Sequence, residues 1–350
     1  MAELTKNRNY GIDLLRMLAM FMVVTLHVLG KGGILSNAAP GSGSYAAAWF
    51  PEICAYCAVN CYALISGYVG VGGSFKYRRM LPMWLQVFFY SFLFTLLFAI
   101  FAPSYVGEGQ LVKSAFPALT KQYWYFTAYF CMFFFVPFMN KLLLSLEKAQ
   151  LRALAITIAA VFSLMTLAAG KDVFLLGGGY CALWLGLLYL MGGCARLLEW
   201  RPKKELALCG YALCVLITWA EKVFLSGRLT SYVSPTMLLA AICLLLLFAQ
   251  LDIKSEKGRG LIEKFAPAAF GVYLIHTQPC LLKATLKNSL VGLADANGFL
   301  IILAVLGIAA AIYLICSLIE LLRIKLFEIL KVKQLADALA EKTGGKVHGR

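Results

Sequence analysis

An arginine and a histidine stand eleven positions apart within one long apolar stretch of the sequence. Arg16 and His27 lie in the segment GIDLLRMLAMFMVVTLHV. At 3.6 residues per turn this spacing makes almost three whole turns, so both side chains project from one helical face, about 16 Å apart. Such a face is costly in lipid and is expected to line a cavity, where the imidazole can move protons near neutral pH. The alternative is an arginine that reaches the headgroups and a hydrogen-bonded core histidine.

Two further ionisable residues are candidates for the same chemistry. Glu52 begins the second apolar segment at a predicted depth close to that of His27, where its carboxylate can orient the imidazole. A glutamate among the outer headgroups is the alternative. His276 ends the motif FGVYLIH near the middle of a later apolar segment, and its alternative is a satisfied core histidine.

Polar and aromatic residues accompany these groups. Ser66 and Tyr68 lie in VNCYALISGY and are expected to line the cavity, although Ser66 and the glycine after it also permit close helix packing. Tyr123 and Trp124, in KQYWYFTAYF, predict either a platform for a sugar ring or an aromatic belt at the membrane surface.

A short basic run follows the second apolar segment. Arg78 and Arg79 match a phosphate-binding cluster, because the guanidinium fork fits phosphate oxygens. The alternative is a charge that only sets the membrane orientation. No metal site is expected, because the cysteines are scattered through apolar segments without further cysteine or histidine partners.

The elements that must position these residues are membrane-spanning helices. Of 350 residues, 61% are hydrophobic and 14% charged, whereas a soluble domain has about 25% charged residues. Apolar runs of about 20 residues recur, the length that crosses a bilayer as a helix. The prediction is an all-α, polytopic integral membrane bundle of about ten transmembrane helices. Its spans are 10–30, 50–72, 81–102, 122–140, 153–170, 173–195, 206–225, 231–251, 265–285 and 297–322.

The distribution of lysine and arginine predicts the orientation of this bundle. The N-terminus, the loops after even-numbered spans and the C-terminal tail hold 23 of the 32 basic residues, so both termini are expected in the cytoplasm. The net charge of +15 indicates attraction to anionic lipids, and no nucleic-acid module is present. We divide the chain into a transmembrane domain, 1–322, and a basic amphipathic cytoplasmic tail, 323–350.

Taken together, these motifs resemble the membrane-bound acyltransferase-3 family. The resemblance rests on Arg16 and His27 in the first span, on LISGY followed by Arg78 and Arg79, and on YLIH ending at His276. The segment FPALTKQYWYFTAYFCMFFFVPFMNKLL is similar to bacterial surface-polysaccharide O-acetyltransferases of that family. The resemblance extends from about residue 8 to about residue 322.

The resemblance implies a bacterial cytoplasmic-membrane enzyme with no permanently bound cofactor. Acetyl-CoA would be its co-substrate, and a glycan or lipid-linked sugar would accept the acyl group on a hydroxyl. The family's histidine corresponds to His27 and its arginine to Arg16. His27 would act as a general base or form an acyl-histidine intermediate, and the sequence leaves both open.

Other classes of function fit parts of the pattern. Intramembrane charges also occur in a transporter or flippase of a polar solute or lipid-linked sugar. A membrane module of a resistance assembly is a further alternative. The sequence is also compatible with a homo-oligomer, and it identifies neither the acceptor nor the acyl chain length.

Overall fold

The computed structural model describes residues 8–73, 75–332 and 334. All regular secondary structure in these residues is helical, which confirms the predicted all-α class. The last α-helix continues to Ile329, past the predicted domain boundary at 322. The remainder of the predicted tail, apart from residues 330–332 and 334, lies outside the described residues, so the tail domain stays a prediction.

The first nine α-helices are α1 (Tyr10–Lys31), α2 (Ile34–Asn37), α3 (Gly43–Tyr56), α4 (Ala58–Gly70), α5 (Met80–Phe88), α6 (Phe94–Phe101), α7 (Gln110–Ala115), α8 (Trp124–Phe133) and α9 (Val136–Ser145). The others are α10 (Lys148–Ile158), α11 (Met165–Ala169), α12 (Ala182–Leu197), α13 (Lys204–Phe224), α14 (Pro235–Ala249), α15 (Glu256–Phe265), α16 (Ala269–His276), α17 (Pro279–Thr285) and α18 (Gly298–Ile329). The π-helices Phe89–Leu93 and Ala159–Leu164 join α5 to α6 and α10 to α11. Short 3₁₀ helices are Tyr77–Arg79, Pro103–Tyr105, Gly177–Gly179, Ala266–Ala268 and Val291–Leu293.

Each of the ten predicted spans coincides with helical structure, but not each is one long helix. Among the described residues, six helical segments are long and apolar enough to cross a membrane, and the pair α8 and α9, bent by 57°, makes a seventh if it is one span. The sixth and eighth predicted spans coincide with the shorter apolar helices α12 and α14. The ninth is divided among α15, α16 and α17.

The helix that carries Arg16 and His27 lies at the centre of the bundle. Asn9 caps the start of α1 by accepting from the backbone N–H of Ile12, and Gly33 turns the chain after its end with a φ of 88°. α1 packs against α3, α4, α14, α16 and α18. α1 therefore contacts helices from several parts of the chain.

The closest helix contact joins α4 and α12. Gly67 lies directly against the backbone of Tyr189, and Gly192 lies against the backbone of Leu64. A side chain at either glycine would displace the facing backbone. Because lipid is as apolar as a leucine side chain, membrane helices associate through this kind of close packing between small residues.

Candidate active site

The two histidines inside the bundle contact each other. His27 near the end of α1 places its Nδ1 2.9 Å from Nε2 of His276, which ends α16. On the other side of its ring, His276 Nδ1 lies 2.5 Å from the backbone carbonyl oxygen of Val272. Sequence reasoning selected both histidines but not their contact, since 249 positions separate them.

His27 also lines a partly enclosed space, which we call the aromatic cavity. Its volume is about 420 Å³. Its wall consists of Met20, Val23, Leu26, His27, Gly30, Lys31, Glu52, Tyr56, Val59, Tyr62, Trp124, Tyr125, Tyr180, Tyr232, Phe270 and Tyr273. His276 is not among these residues: it is buried, and its ring contacts two residues of the wall, His27 and Tyr273.

Glu52 is in the wall of the aromatic cavity but does not orient His27. The hydrogen bond of the His27 ring goes to His276, which corrects the predicted carboxylate partner. The Glu52 side chain comes from α3, and the residue is only 7% exposed. Its Oε2 is buried and has no hydrogen-bond partner among the described residues. A buried carboxylate without a partner is costly, so it marks a place where a polar ligand group would be favourable.

Aromatic rings from distant parts of the chain meet opposite these polar groups. The Trp124 ring centroid lies 4.5 Å from that of Tyr180 and 6.3 Å from that of Tyr232. Asn60 holds the Tyr232 loop by donating to its carbonyl oxygen at 2.8 Å. Sequence reasoning predicted Trp124 and missed both tyrosines. Each of these tyrosines lies in a loop, a few residues before a helix begins. The sequence near a loop does not show which other side chains the loop contacts.

A second space, which we call the basic pocket, lies at the opposite end of α1 and has a volume of about 740 Å³. It is lined by Arg8, Asn9, Tyr10, Tyr68, Arg196, Trp200, Arg201, Lys204, Ala249, Gln250, Leu251, Asp252, Ile253 and Arg259. Arg8 pairs with Asp13 at 2.7 Å, and Arg259 approaches Asp252 at 3.7 Å. From the sequence alone, the basic residues of this pocket are only signals of the membrane orientation.

Tyr68 belongs to the basic pocket, although the sequence analysis expected it in the cavity. The Arg196 guanidinium lies over its ring, 5.3 Å from the centroid. Ser66, one turn away from Tyr62 on the same helix, donates to the Tyr62 carbonyl oxygen at 2.9 Å and lines neither space. Tyr123 is 1% exposed and packs against Tyr273, outside the cavity wall.

The predicted donor-binding arginines belong to two different segments of the chain. Arg16 donates to the Asp13 carboxylate at 2.5 Å, and its carbonyl oxygen accepts from the Tyr62 hydroxyl at 2.7 Å. It therefore lies between the two spaces along α1 and lines neither. Arg78 and Arg79 are exposed on a 3₁₀ helix and are not part of the basic pocket wall. Their functional roles stay predictions.

Comparison with known proteins adds one match. The family described as "Acyltransferase domain", of the acyltransferase-3 type, matches residues 9–320. The match covers α1 with its histidine, α16 with its histidine and the residues of both spaces except Arg8. No curated protein matches the chain significantly. No solved structure matches it significantly either.

Proposed function

Because the chain belongs to the membrane-bound acyltransferase-3 family and is a membrane acyltransferase, we propose that it acetylates a hydroxyl of a cell-surface glycan or lipid-linked sugar, with acetyl-CoA as donor. The observation that carries this proposal is His27, one ring nitrogen of which is held by His276 while its side chain lines a cavity walled by aromatic rings. The enzyme works in the bacterial cytoplasmic membrane with both termini in the cytoplasm.

The basic pocket supports a donor that enters at the start of α1. Coenzyme A carries its phosphates at one end and its thioester at the end of a long arm. Three cations in the pocket wall make no ion pair with any described residue: Arg196, Arg201 and Lys204. Their charges are therefore available to phosphate oxygens. From Tyr10 to His27 the helix rises about 25 Å. The arm would pass Arg16 on its way to the histidine.

The aromatic cavity supports an acceptor with a ring and several hydroxyls. Small-molecule sites combine apolar and aromatic walls with a few polar groups that set the orientation. Trp124 and Tyr232 have nearly parallel rings, with an interplanar angle of 16°, and offer flat faces to the C–H side of a sugar. The unpaired Glu52 oxygen accepts a hydrogen bond from one of its hydroxyls.

These placements support the following reaction. His27 takes the proton of the acceptor hydroxyl as that oxygen attacks the thioester carbonyl carbon. The new C–O ester bond forms, the C–S bond breaks, and His27 gives the proton to the departing thiolate. The products are the acetyl ester and free coenzyme A. In the alternative acyl-histidine route the same ring nitrogen is the nucleophile, so either route needs its lone pair in the cavity.

Purified protein in detergent tests this proposal with radiolabelled acetyl-CoA and a panel of p-nitrophenyl pyranosides as acceptors. We expect one thiol released for each acetyl ester formed. His27→Gln should lower the transfer rate roughly 100- to 10,000-fold while acetyl-CoA affinity stays at the wild-type value. A wild-type protein that binds no acetyl-CoA would overturn the donor assignment. A donor-binding His27→Gln variant with near-normal transfer would remove His27 from the mechanism.

A further inference from the structure

We propose that His276 is a positioning residue that selects the tautomer of His27 and turns the lone pair of His27 Nε2 towards the aromatic cavity. The consequence for rate rests on the proposed acyl transfer. The tautomer itself is a property of the free protein and can be measured without any substrate.

The assignment begins at the backbone of α16. The Val272 carbonyl oxygen can only accept a hydrogen bond, so His276 Nδ1, 2.5 Å away, must carry the proton. In a neutral imidazole the other nitrogen is then an acceptor. His276 Nε2 therefore accepts from His27 Nδ1 across the 2.9 Å contact. With Nδ1 protonated, a neutral His27 carries its lone pair on Nε2.

The surroundings favour the neutral form of both rings. His276 is 5% exposed and lies among the apolar residues of α16, where an unpaired charge would be costly. A doubly protonated His276 would also point an N–H at the N–H of His27. Lys31, one turn beyond His27, lines the same cavity and disfavours a further positive charge there.

Contacts at both ends of α16 hold His276 in place. Gly271 lies directly against the buried carboxylate of Glu320 in α18, which accepts from the Tyr90 hydroxyl at 2.6 Å. On the other side of His276, the Gln278 amide donates to the Thr95 hydroxyl at 3.0 Å. Tyr90 and Thr95 lie in and just after the π-helix that joins α5 to α6. The ring that holds His27 is therefore itself fixed by two neighbouring segments.

Nitrogen NMR can test the tautomer directly, because the chain has only three histidines. In a His348→Gln background, ¹⁵N-histidine labelling leaves the signals of His27 and His276. We expect the His27 signals of an Nδ1–H tautomer, with an unprotonated Nε2, in the wild-type pair and in His276→Gln. In His276→Leu the His27 signals should move towards the other tautomer or an average of the two.

Kinetics then separates a positioning role from a packing role. Glutamine can donate its amide N–H to the Val272 carbonyl and accept from His27, whereas leucine has a similar size but does neither. We expect His276→Leu to lower kcat on the order of 100-fold or more, as loss of a tautomer-setting partner does elsewhere, with the KM for acetyl-CoA unchanged. His276→Gln should recover most of that loss. The double variant with His27→Gln and His276→Leu should transfer acetyl groups almost as fast as the single variant His27→Gln.

The outcomes distinguish this inference from the proposed function. If His27 keeps the same tautomer in His276→Leu, or if the Gln and Leu variants lose kcat equally, the positioning role is wrong. If His276→Leu does not fold, His276→Gln alone decides, because a changed His27 tautomer in that folded variant also contradicts the proposal. If the tautomer shift occurs but neither the wild type nor any variant transfers acetyl groups, the positioning role stands and the proposed reaction fails.

Discussion

At the scale of single residues, two ionisable groups that would be costly in lipid line one cavity. His27 and Glu52 come from α1 and α3, and both line the same space. Yet their surroundings differ. His27 has a protein hydrogen-bond partner, whereas Oε2 of Glu52 has none among the described residues. We therefore expect the carboxylate to bind a ligand group and the imidazole to take part in the proposed reaction.

Replacing Glu52 by Gln separates these two roles. Loss of a charge-assisted hydrogen bond of about 1.5–3 kcal/mol should raise the KM for a pyranoside acceptor roughly tenfold or more. Acetyl-CoA affinity should not change, and thermal stability should not fall, since the substitution removes an unpaired buried charge. Exposed Glu108 provides the matched control in Glu108→Gln. A stability loss with unchanged acceptor KM would show that Glu52 is structural.

At the scale of secondary-structure elements, each of the two spaces is built where several helices and loops meet. The basic pocket collects the start of α1, the end of α12 and the start of α13. The aromatic cavity collects the end of α1, the start of α8 and two loops. The part of α1 between the two spaces keeps them a fixed distance apart.

The basic pocket can be tested against the arginines that the sequence analysis selected. Arg196→Ala with Arg201→Ala removes two pocket cations, and Arg78→Ala with Arg79→Ala removes two cations outside the pocket. We expect the first double variant to weaken acetyl-CoA binding roughly tenfold or more, from the loss of charge-assisted contacts. Calorimetric titration at two salt concentrations measures this effect. A larger loss in the second double variant would move the phosphate site to Arg78 and Arg79.

The contact between α4 and α12 allows a second test at this scale. Gly192→Ala places a methyl group against the Leu64 backbone, and such overpacking costs about 1–3 kcal/mol. We expect a lower melting temperature in detergent. Gly307→Ala in α18 is the control, because a Cβ there meets nothing within 4 Å. Equal melting temperatures for the two variants would show that α12 can shift without cost.

At the scale of the whole molecule, the two spaces lie at opposite ends of α1, as a donor and an acceptor on opposite sides of a membrane require. The loops after the sixth and eighth predicted spans line the basic pocket, and both are rich in lysine and arginine. By the positive-inside rule we expect the basic pocket on the cytoplasmic side of the membrane. The aromatic cavity would then open towards the outer face.

Cysteine labelling tests this orientation in a background that lacks the eleven native cysteines. Phe75→Cys and Glu256→Cys should react with a membrane-impermeant maleimide only after the cells are permeabilised. Glu108→Cys, between the third and fourth predicted spans, should react in intact cells. Labelling of position 75 or 256 from outside intact cells would reverse the assignment and with it the side from which the donor enters.

The sequence by itself determined the features that depend on residues near one another along the chain. Apolar runs of the length of a bilayer predict helices that cross it, and the structure has helices at all ten predicted places. Helical periodicity alone put Arg16 and His27 on one face. The order of short motifs indicated the acyltransferase-3 family, which the match over residues 9–320 confirms. None of these inferences needed to know which helices touch.

Only the tertiary structure decided how the helices meet. His276 rather than Glu52 holds His27, and Tyr180 and Tyr232 join Trp124 in one wall. The physical reason is that membrane helices associate through packing between particular surfaces. An apolar helix looks much the same in sequence whichever side faces lipid. The partner of a buried polar group is therefore set by contacts that no spacing along the chain encodes.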